Sequence, residues 1–327
     1  MKINPRILAR LTEAEARHCC LHTSKHNEQQ TLSMLVKSGE VTRARQGLYA
    51  RTAIWESLDA NEQYLWTLRG LHEWHPDWVF AAISVISAYR VEHPYWLHND
   101  AKVFLATDKL SGAFSPKGVQ YVHTENFSKY RQTNISMTSV PQALCDCAMR
   151  YKFHEVLPMF DSALRKQLTC EQDIRAISEK SHRFDRKVAH LLNYTDPKSE
   201  NGGESICRAI MIEEGFGKPE LQREFRIPVS DGTVRIYRVD MLYNLTGKEL
   251  IAVEFDGMDK YVNPMMTNQR SIREVVHEEK ERENLLLTKT PIRKIVRIDF
   301  NEAMQRVPLV EKLSAAGLPR ARPLAHQ

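Results

Sequence analysis

Apolar positions recur every three or four residues near the N-terminus. Leu8, Leu11, Ala14 and Ala16 open one such pattern. Leu32, Leu35 and Val36 carry another, which Gly39 stops. This spacing predicts short helices over residues 5–38, the last of them near 27–38. The run EVTRARQGLYAR comes next, with Val41, Ala44, Leu48 and Tyr49 set among basic residues around Gly47, and it reads as a hairpin with a tight turn. Helices succeeded by a basic hairpin is the order of a winged helix. Residues 53–75 look helical. From 78 to 175 a second unit is expected: WVFAAISVISAYRV ends in a buried helix, KVFLAT and GVQYVHT are strands, and SVPQALCDCAMRY and HEVLPMFDSALRKQL are helices.

The segment LNYTDPKSENGGES (192–205) is polar and rich in turn residues, so it reads as a linker. Beyond it, ESICRAIMIEEG has helical spacing. QREFRIPV, VRIYRVDMLY and ELIAVEFDG are strand-like runs separated by SDG and NLTGK, which suit hairpin turns. A polar helix over about 266–289 and a last strand, PIRKIVRIDF, complete the order α-β-β-β-α-β. The expectation is a multidomain α/β chain: a winged helix over 1–52, an α/β middle domain over 53–190, the α-β-β-β-α-β domain over 191–315, and a polar, disordered tail over 316–327.

Charge sharpens the N-terminal reading. The chain has 327 residues and a formal net charge of +5. Nine basic residues within 1–52 (Lys2, Arg6, Arg10, Arg17, Lys25, Lys37, Arg43, Arg45, Arg51) face four acids (Glu13, Glu15, Glu28, Glu40), so the whole excess sits there. A basic module on a balanced remainder points to a polyanion such as DNA, the bland alternative being a solvated charged surface. In a winged helix, Lys37 lies on the groove-facing helix, and Arg43 and Arg45 on the wing meet phosphates. The six cysteines form no CxxC pair, which fits reduced thiols rather than structural zinc. His93, His98 and His123 lack ligand spacing, and Asp146 and Asp161 read as structural acids on helices. No apolar run reaches ~18 residues and no apolar signal core opens the chain. A cytoplasmic protein with no membrane association is expected.

Three carboxylates interrupt the strand-like runs: Asp240 in one, Glu254 and Asp256 at the end of the next. A hairpin brings Asp240 and Glu254 to one edge of a sheet, where desolvation and mutual repulsion make two ionised acids costly. A hard divalent cation removes that cost. Asp240 and Glu254 then serve as direct Mg²⁺ (or Mn²⁺) ligands, and Glu204, in the first turn of the preceding helix, reaches the metal directly or through water. Such a site activates water and neutralises charge on a phosphoryl group. Ordinary surface acids at strand ends are the competing reading.

The succession Glu204–Ser205, Arg208, Leu221–Gln222, Val239–Asp240, Ala252–Gly257, Lys260–Tyr261, Glu279–Glu283 and IVRI resembles the nuclease-like domains related to very-short-patch-repair endonucleases. These belong to the PD-(D/E)xK superfamily with a restriction-endonuclease-like fold. The resemblance covers about 200–300. It implies metal ligands Asp240 and Glu254 with Glu204 in support, Gln222 orienting water or phosphate, Asp256 as an additional ligand, and Arg273 and Arg282 on the DNA backbone. The usual lysine two residues after the glutamate is replaced by Asp256; Lys260 and Lys280 are the candidate substitutes. The first 175 residues resemble, more weakly, AbiEi-type antitoxins of type IV toxin–antitoxin systems, through GEVTRARQGLYA and MTSVPQALCD. The expected function is a metal-dependent DNA endonuclease of defence or repair, with DNA and a cognate toxin or defence-system protein as partners. The alternative is an antitoxin-like transcriptional regulator on a degenerate nuclease fold, and a third reading is an RNA-directed nuclease.

Overall fold

A computed structural model of the chain describes residues 5–109, 117–124, 127–132, 134–180, 185–229, 232–245, 249–256 and 272–323, without the side chains of 185 and 272–276. The chain is mixed α/β and divides into two units, 1–150 with 172–184, and 151–171 with 185–327. No helix among the described residues is long and apolar enough to cross a membrane.

The first unit begins with α1 (Pro5–Ala16), β1 (Leu21–His22), α2 (His26–Lys37), β2 (Val41–Arg45) and β3 (Leu48–Arg51). The strands form an antiparallel sheet in the order β1-β3-β2. The helical stripes read from the sequence close on that sheet: Ile7, Leu11, Leu32, Leu35, Val41 and Tyr49 share one core. Gly47 makes the hairpin turn at φ +78°, a left-handed conformation that favours glycine, and a Cβ there would stand 2.8 Å from the Trp74 ring. Next come α3 (Thr52–Ser57), α4 (Ala60–Trp74) and α5 (Ile83–Ala88). Helix α4 lies so close to β1 that a Cβ on Gly70 would meet the Cys20 carbonyl at 2.8 Å. Residues 1–52 and α4 fall in the same unit.

Parallel strands β4 (Val103–Thr107) and β5 (Val119–His123) and the hairpin β6 (Tyr130–Gln132)–β7 (Ile135–Met137) come next. Phe80 bridges to both Leu105 and Met137. Helix α6 (Val140–Ala148) starts on the Ser139 side chain, which accepts from the Gln142 amide. Helix α7 (Phe153–Arg165) belongs to the second unit, whereas α8 (Glu171–Lys180) returns to the first from Gln172 on.

The second unit continues with α9 (Asp185–Tyr194), α10 (Gly202–Glu213), β8 (Glu220–Pro228), β9 (Val234–Asn244), β10 (Leu250–Asp256), α11 (Ile272–Lys289), β11 (Ile292–Asp299), α12 (Phe300–Gln305) and α13 (Val307–Ala315). The expected α-β-β-β-α-β order is present from α10 to β11. The sheet order is β11-β10-β9-β8, with antiparallel pairs except for β10 and β11, which run parallel. A parallel pair needs a crossover, and α11 supplies it, with Leu286 packed in a core with Val239, Leu242 and Ala252.

The polar segment before α10 is no linker. Asp161 of α7 and Arg208 of α10 form a fully buried ion pair at 2.6 Å. Asp161 also accepts from the Asp196 amide at 2.8 Å and the Ser205 hydroxyl at 2.7 Å. The boundary expected at 190/191 therefore falls inside one unit, because turn-rich polarity there serves a buried network. The tail expected to be disordered from 316 is held in place as far as it is described: Ala316 and Leu318 are buried, the Ala321 amide donates to Gly215 at 2.9 Å, and Arg320 pairs with Glu214 at 2.6 Å.

Candidate functional site

Strand β10 is buried from Ile251 to Phe255, with Glu254 only 4% exposed. Such a strand normally reads as unbroken apolar sequence, so a buried glutamate near its end needs a physical account. Register supplies the neighbours. Met241 pairs with Val253 on one side and Leu221 on the other. Asp240, Glu254 and Gln222 each come one residue after these partners, Met241, Val253 and Leu221, toward the same end of the sheet, and Glu254 pairs with Arg297 of β11. Gln222, Asp240, Glu254 and Arg297 thus form one row across four strands.

The row is held from several sides. The Phe255 amide donates to Asp240 Oδ2 at 2.9 Å. Gly203 lets α10 approach β10: a Cβ there would lie 2.7 Å from the Phe255 ring. This sets Glu204 beside the row. Asn201 caps the helix by accepting from the Glu204 amide at 2.9 Å and donates to Glu204 Oε1 at 2.6 Å, while the Glu200 amide donates to Oε2 at 2.9 Å. Burial pushes the Glu204 carboxyl up to about 7; the Asp240 charge adds to the rise and the Glu200 amide opposes it. Gln222 has φ +56° within β8, a conformation that costs a non-glycine residue of order 1 kcal/mol. Its Nε2 lies 3.4 Å from Glu204 Oε2, and its Oε1 is buried with no hydrogen-bond partner among the described residues.

Arginines crowd the other end. Arg282 of α11, one turn before Leu286, donates to Glu254 Oε1 at 2.7 Å, to the Arg238 carbonyl at 2.7 Å and to Glu279 at 3.1 Å. Burial would depress the Arg282 guanidinium, yet Glu254 and Glu279 hold it above the usual range. Arg297 pairs with Glu279 and lies 3.5 Å from Asp256.

Glu204, Gln222, Asp240 and Glu254 are thus brought together, with Asp256 next to Glu254 but turned to Arg297. Arg282, expected on the DNA backbone, points into the row, a role its place in a polar helix did not signal. Lys280 is exposed on α11. Lys260 lies outside the described residues, as does the Arg273 side chain. In the first unit Lys37 is exposed in the last turn of α2. Arg43 is exposed, its guanidinium 5.9 Å from the Tyr49 ring centroid. Arg45 is anchored instead, donating to the Ala101 carbonyl at 3.1 Å and the Lys117 carbonyl at 2.8 Å, which accounts for its half-buried state. The histidines without ligand spacing include a buried pair: His98 Nε2 lies 2.7 Å from His93 Nε2, and His93 Nδ1 lies 2.6 Å from the Val91 carbonyl. These contacts fix the tautomers, with His93 donating to Val91 and accepting from His98.

The chemistry of the row suits a hard cation. Its donors are carboxylates and an amide oxygen with no hydrogen-bond partner among the described residues, burial raises the Glu204 carboxyl to about 7, and an arginine is drawn onto Glu254. Among the described residues, no group of three or more His, Cys, Asp or Glu side chains is gathered closely enough to hold a metal. The fit therefore rests on the Asp240–Glu254 pair and the Gln222 oxygen, with Glu204 behind them. No known protein family matches the chain, and no curated protein matches it significantly.

Proposed function

We propose that the second unit is a metal-dependent phosphodiesterase of the PD-(D/E)xK type acting on DNA, and that the N-terminal module, read as a winged helix, recruits the duplex. The observation that carries this reading is the row Gln222–Asp240–Glu254 on three neighbouring strands, with Glu204 beside it. Asp240, Glu254 and the Gln222 amide oxygen would hold Mg²⁺ (or Mn²⁺), with Glu204 in support. The bound ion would supply charge neutralisation at the phosphoryl group and a more acidic water. The chain's own groups do the rest. The Phe255 amide fixes the Asp240 carboxylate. Glu204, at about 7, is suited to exchanging a proton at neutral pH. Lys260 and Lys280 remain the candidate amines, and Asp256 a further carboxylate. Lys37 and Arg43 are the cations offered to a DNA backbone. The expected setting is the cytoplasm, with a defence-system protein or cognate toxin as a further partner.

A second reading, a DNA-binding regulator on a degenerate nuclease fold, is favoured by the Arg282–Glu254 ion pair, which already satisfies one of the acids. The deciding experiment incubates the full chain with supercoiled plasmid, single-stranded DNA and RNA in Mg²⁺ and Mn²⁺. Metal-dependent nicking that disappears in Asp240→Asn and Glu254→Gln supports the nuclease. Retarded plasmid that stays intact in every metal supports the regulator.

A further inference from the structure

Helix α11 turns Arg282, Leu285 and Leu286 toward the sheet, the i, i+3, i+4 spacing of one helical face. Leu285 and Leu286 join the core with Val239 and Ala252. Arg282, one turn earlier, instead carries a charge to the end of the acidic row. Its side chain is 18% exposed and that of Glu254 is 5% exposed. Stability alone does not ask for a charge there, because exchanging a buried ion pair for apolar residues of similar volume is often neutral or stabilising. A guanidinium in that stripe needs another account, and the chemistry of the row supplies one.

Arg282 Nη2 donates to Glu254 Oε1 and to the Arg238 carbonyl, each at 2.7 Å, and Nη1 donates to Glu279 at 3.1 Å. Glu279 is shared with Arg297, which also lies 3.5 Å from Asp256. Amides hold the other two acids: Asp240 by Phe255, Glu204 by the Asn201 side chain and the Glu200 backbone. A divalent ion bound by Glu254 would share that carboxylate with the guanidinium, and two cations so close repel. A phosphodiester brought to the row carries the negative charge that relieves this repulsion, and phosphate is a preferred partner of arginine. Metal and phosphate therefore favour each other at the row, and Arg282 sets by how much.

We propose that Arg282 is the resident counter-ion of the acidic row: it holds Glu254 in the DNA-free protein, weakens metal binding there, and makes tight metal binding depend on the arrival of a nucleic-acid phosphate. The inference rests on the nuclease reading, since it takes Asp240 and Glu254 as the metal ligands. It gives the Arg282–Glu254 pair a use within an active site, where the regulator reading treats the same pair as a sign of degeneracy.

The test titrates the full chain with Ca²⁺ in a calorimeter, with and without a saturating short DNA duplex. Ca²⁺ takes the same oxygen ligands as Mg²⁺, and as the weaker Lewis acid it leaves the duplex intact, so the readout is binding rather than cleavage. Wild-type protein should bind Ca²⁺ about tenfold more tightly when the duplex is present, one charge-assisted hydrogen bond being worth that much. By linkage, Ca²⁺ should tighten the duplex by the same factor. Arg282→Met should bind Ca²⁺ about tenfold more tightly than wild type in the absence of DNA, and the duplex should then add less than about threefold. Arg282→Gln, which keeps an N–H for the Arg238 carbonyl, should behave like Arg282→Met, and Arg282→Lys like wild type. All five tryptophans (Trp55, Trp66, Trp74, Trp78, Trp96) lie in the first unit, so far-UV circular dichroism is the check that the second unit of each variant is folded. Ca²⁺ bound equally by wild type and both neutral variants, and lost in Asp240→Asn, overturns the counter-ion role and leaves the metal site standing. A duplex effect of the same size in wild type and Arg282→Gln also overturns it. No Ca²⁺ binding in any form, with or without duplex, overturns this inference and the nuclease reading together.

Discussion

Replacing Arg282 with Met tests what holds Glu254 in place. The substitution keeps the apolar stem that covers the sheet and removes the guanidinium that donates to Glu254 and to the Arg238 carbonyl. Glu254, whose side chain is 5% exposed, would lose this donor, while Arg282 itself is 18% exposed. Breaking a fully buried pair costs about 3–5 kcal/mol; the partial exposure of Arg282 puts this case near the lower end, about 3 kcal/mol. For a unit of this size that lowers Tm by about 6–12 °C. Because the tryptophans all belong to the first unit, far-UV circular dichroism measured alongside tryptophan fluorescence separates the two transitions. Adding Glu254→Gln removes the buried charge that lost its arginine, so the double variant should recover most of the loss, to within about 1 kcal/mol of the parent. Mg²⁺ provides the second arm. If the acids belong to a cation site, metal at a hundredfold excess over its Kd should restore about 2.7 kcal/mol to Arg282→Met. A loss below about 1 kcal/mol, or no recovery in the double variant, would refute the ion-pair argument. An Arg282→Met protein that recovers with Glu254→Gln but ignores every divalent metal would leave the regulator as the better reading.

The same geometry sets other outcomes. Glu204 has its pKa raised to about 7 from 4.5, so the folded state binds the extra proton; stability is full below about 4.5 and should fall by roughly 3 kcal/mol as pH rises through 7, a slope that Glu204→Gln abolishes in pH-dependent melts. His98 runs the opposite way. Burial, with His93 adding, lowers it to about 3; acidification from 6.5 should destabilise the first unit, by about 2 kcal/mol at pH 5, and His98→Phe should flatten that dependence in tryptophan-detected unfolding. Gly203→Ala sets a Cβ 2.7 Å from the Phe255 ring and should cost about 1–3 kcal/mol, read by calorimetry. Arg43→Ala should flatten the salt dependence of duplex binding by about one unit, while Arg45→Ala, whose guanidinium is spent on two carbonyls, should leave the slope unchanged and lower stability instead.

Local pattern carries the elements well. The stripe Leu32, Leu35, Val36 lies on α2, and the runs around Asp240 and Glu254 are neighbouring strands that carry those two acids toward the same end of the sheet. Period and turn chemistry act over a few residues, so they are readable without tertiary knowledge. What escapes depends on distant partners. Asp161 and Arg208 are 47 residues apart, and nothing near either of them announces a buried pair. The polar stretch between them therefore looks like a linker. Arg282 sits in a helix whose sequence suggests solvent on every side, and only the crossover between β10 and β11 turns it onto Glu254. Arg45 fits a wing contact by sequence, and its capture by two carbonyls is visible only once the chain around Lys117 is in place. The tail after 315 reads as disordered by composition, which does not see that its backbone pairs with Gly215.

The path of the chain between the two units limits how this protein can be divided. It passes from one to the other three times, at 150/151, 171/172 and 184/185. A fragment starting at 191 would have the whole sheet and the acidic row but would lack α7, leaving Arg208 with its charge buried and Asp161 gone. No single cut yields both halves intact. A gene rearrangement that transplanted the C-terminal half alone would deliver a damaged part, so inheritance of the two units as one block is favoured by packing itself, whatever advantage their joint action confers.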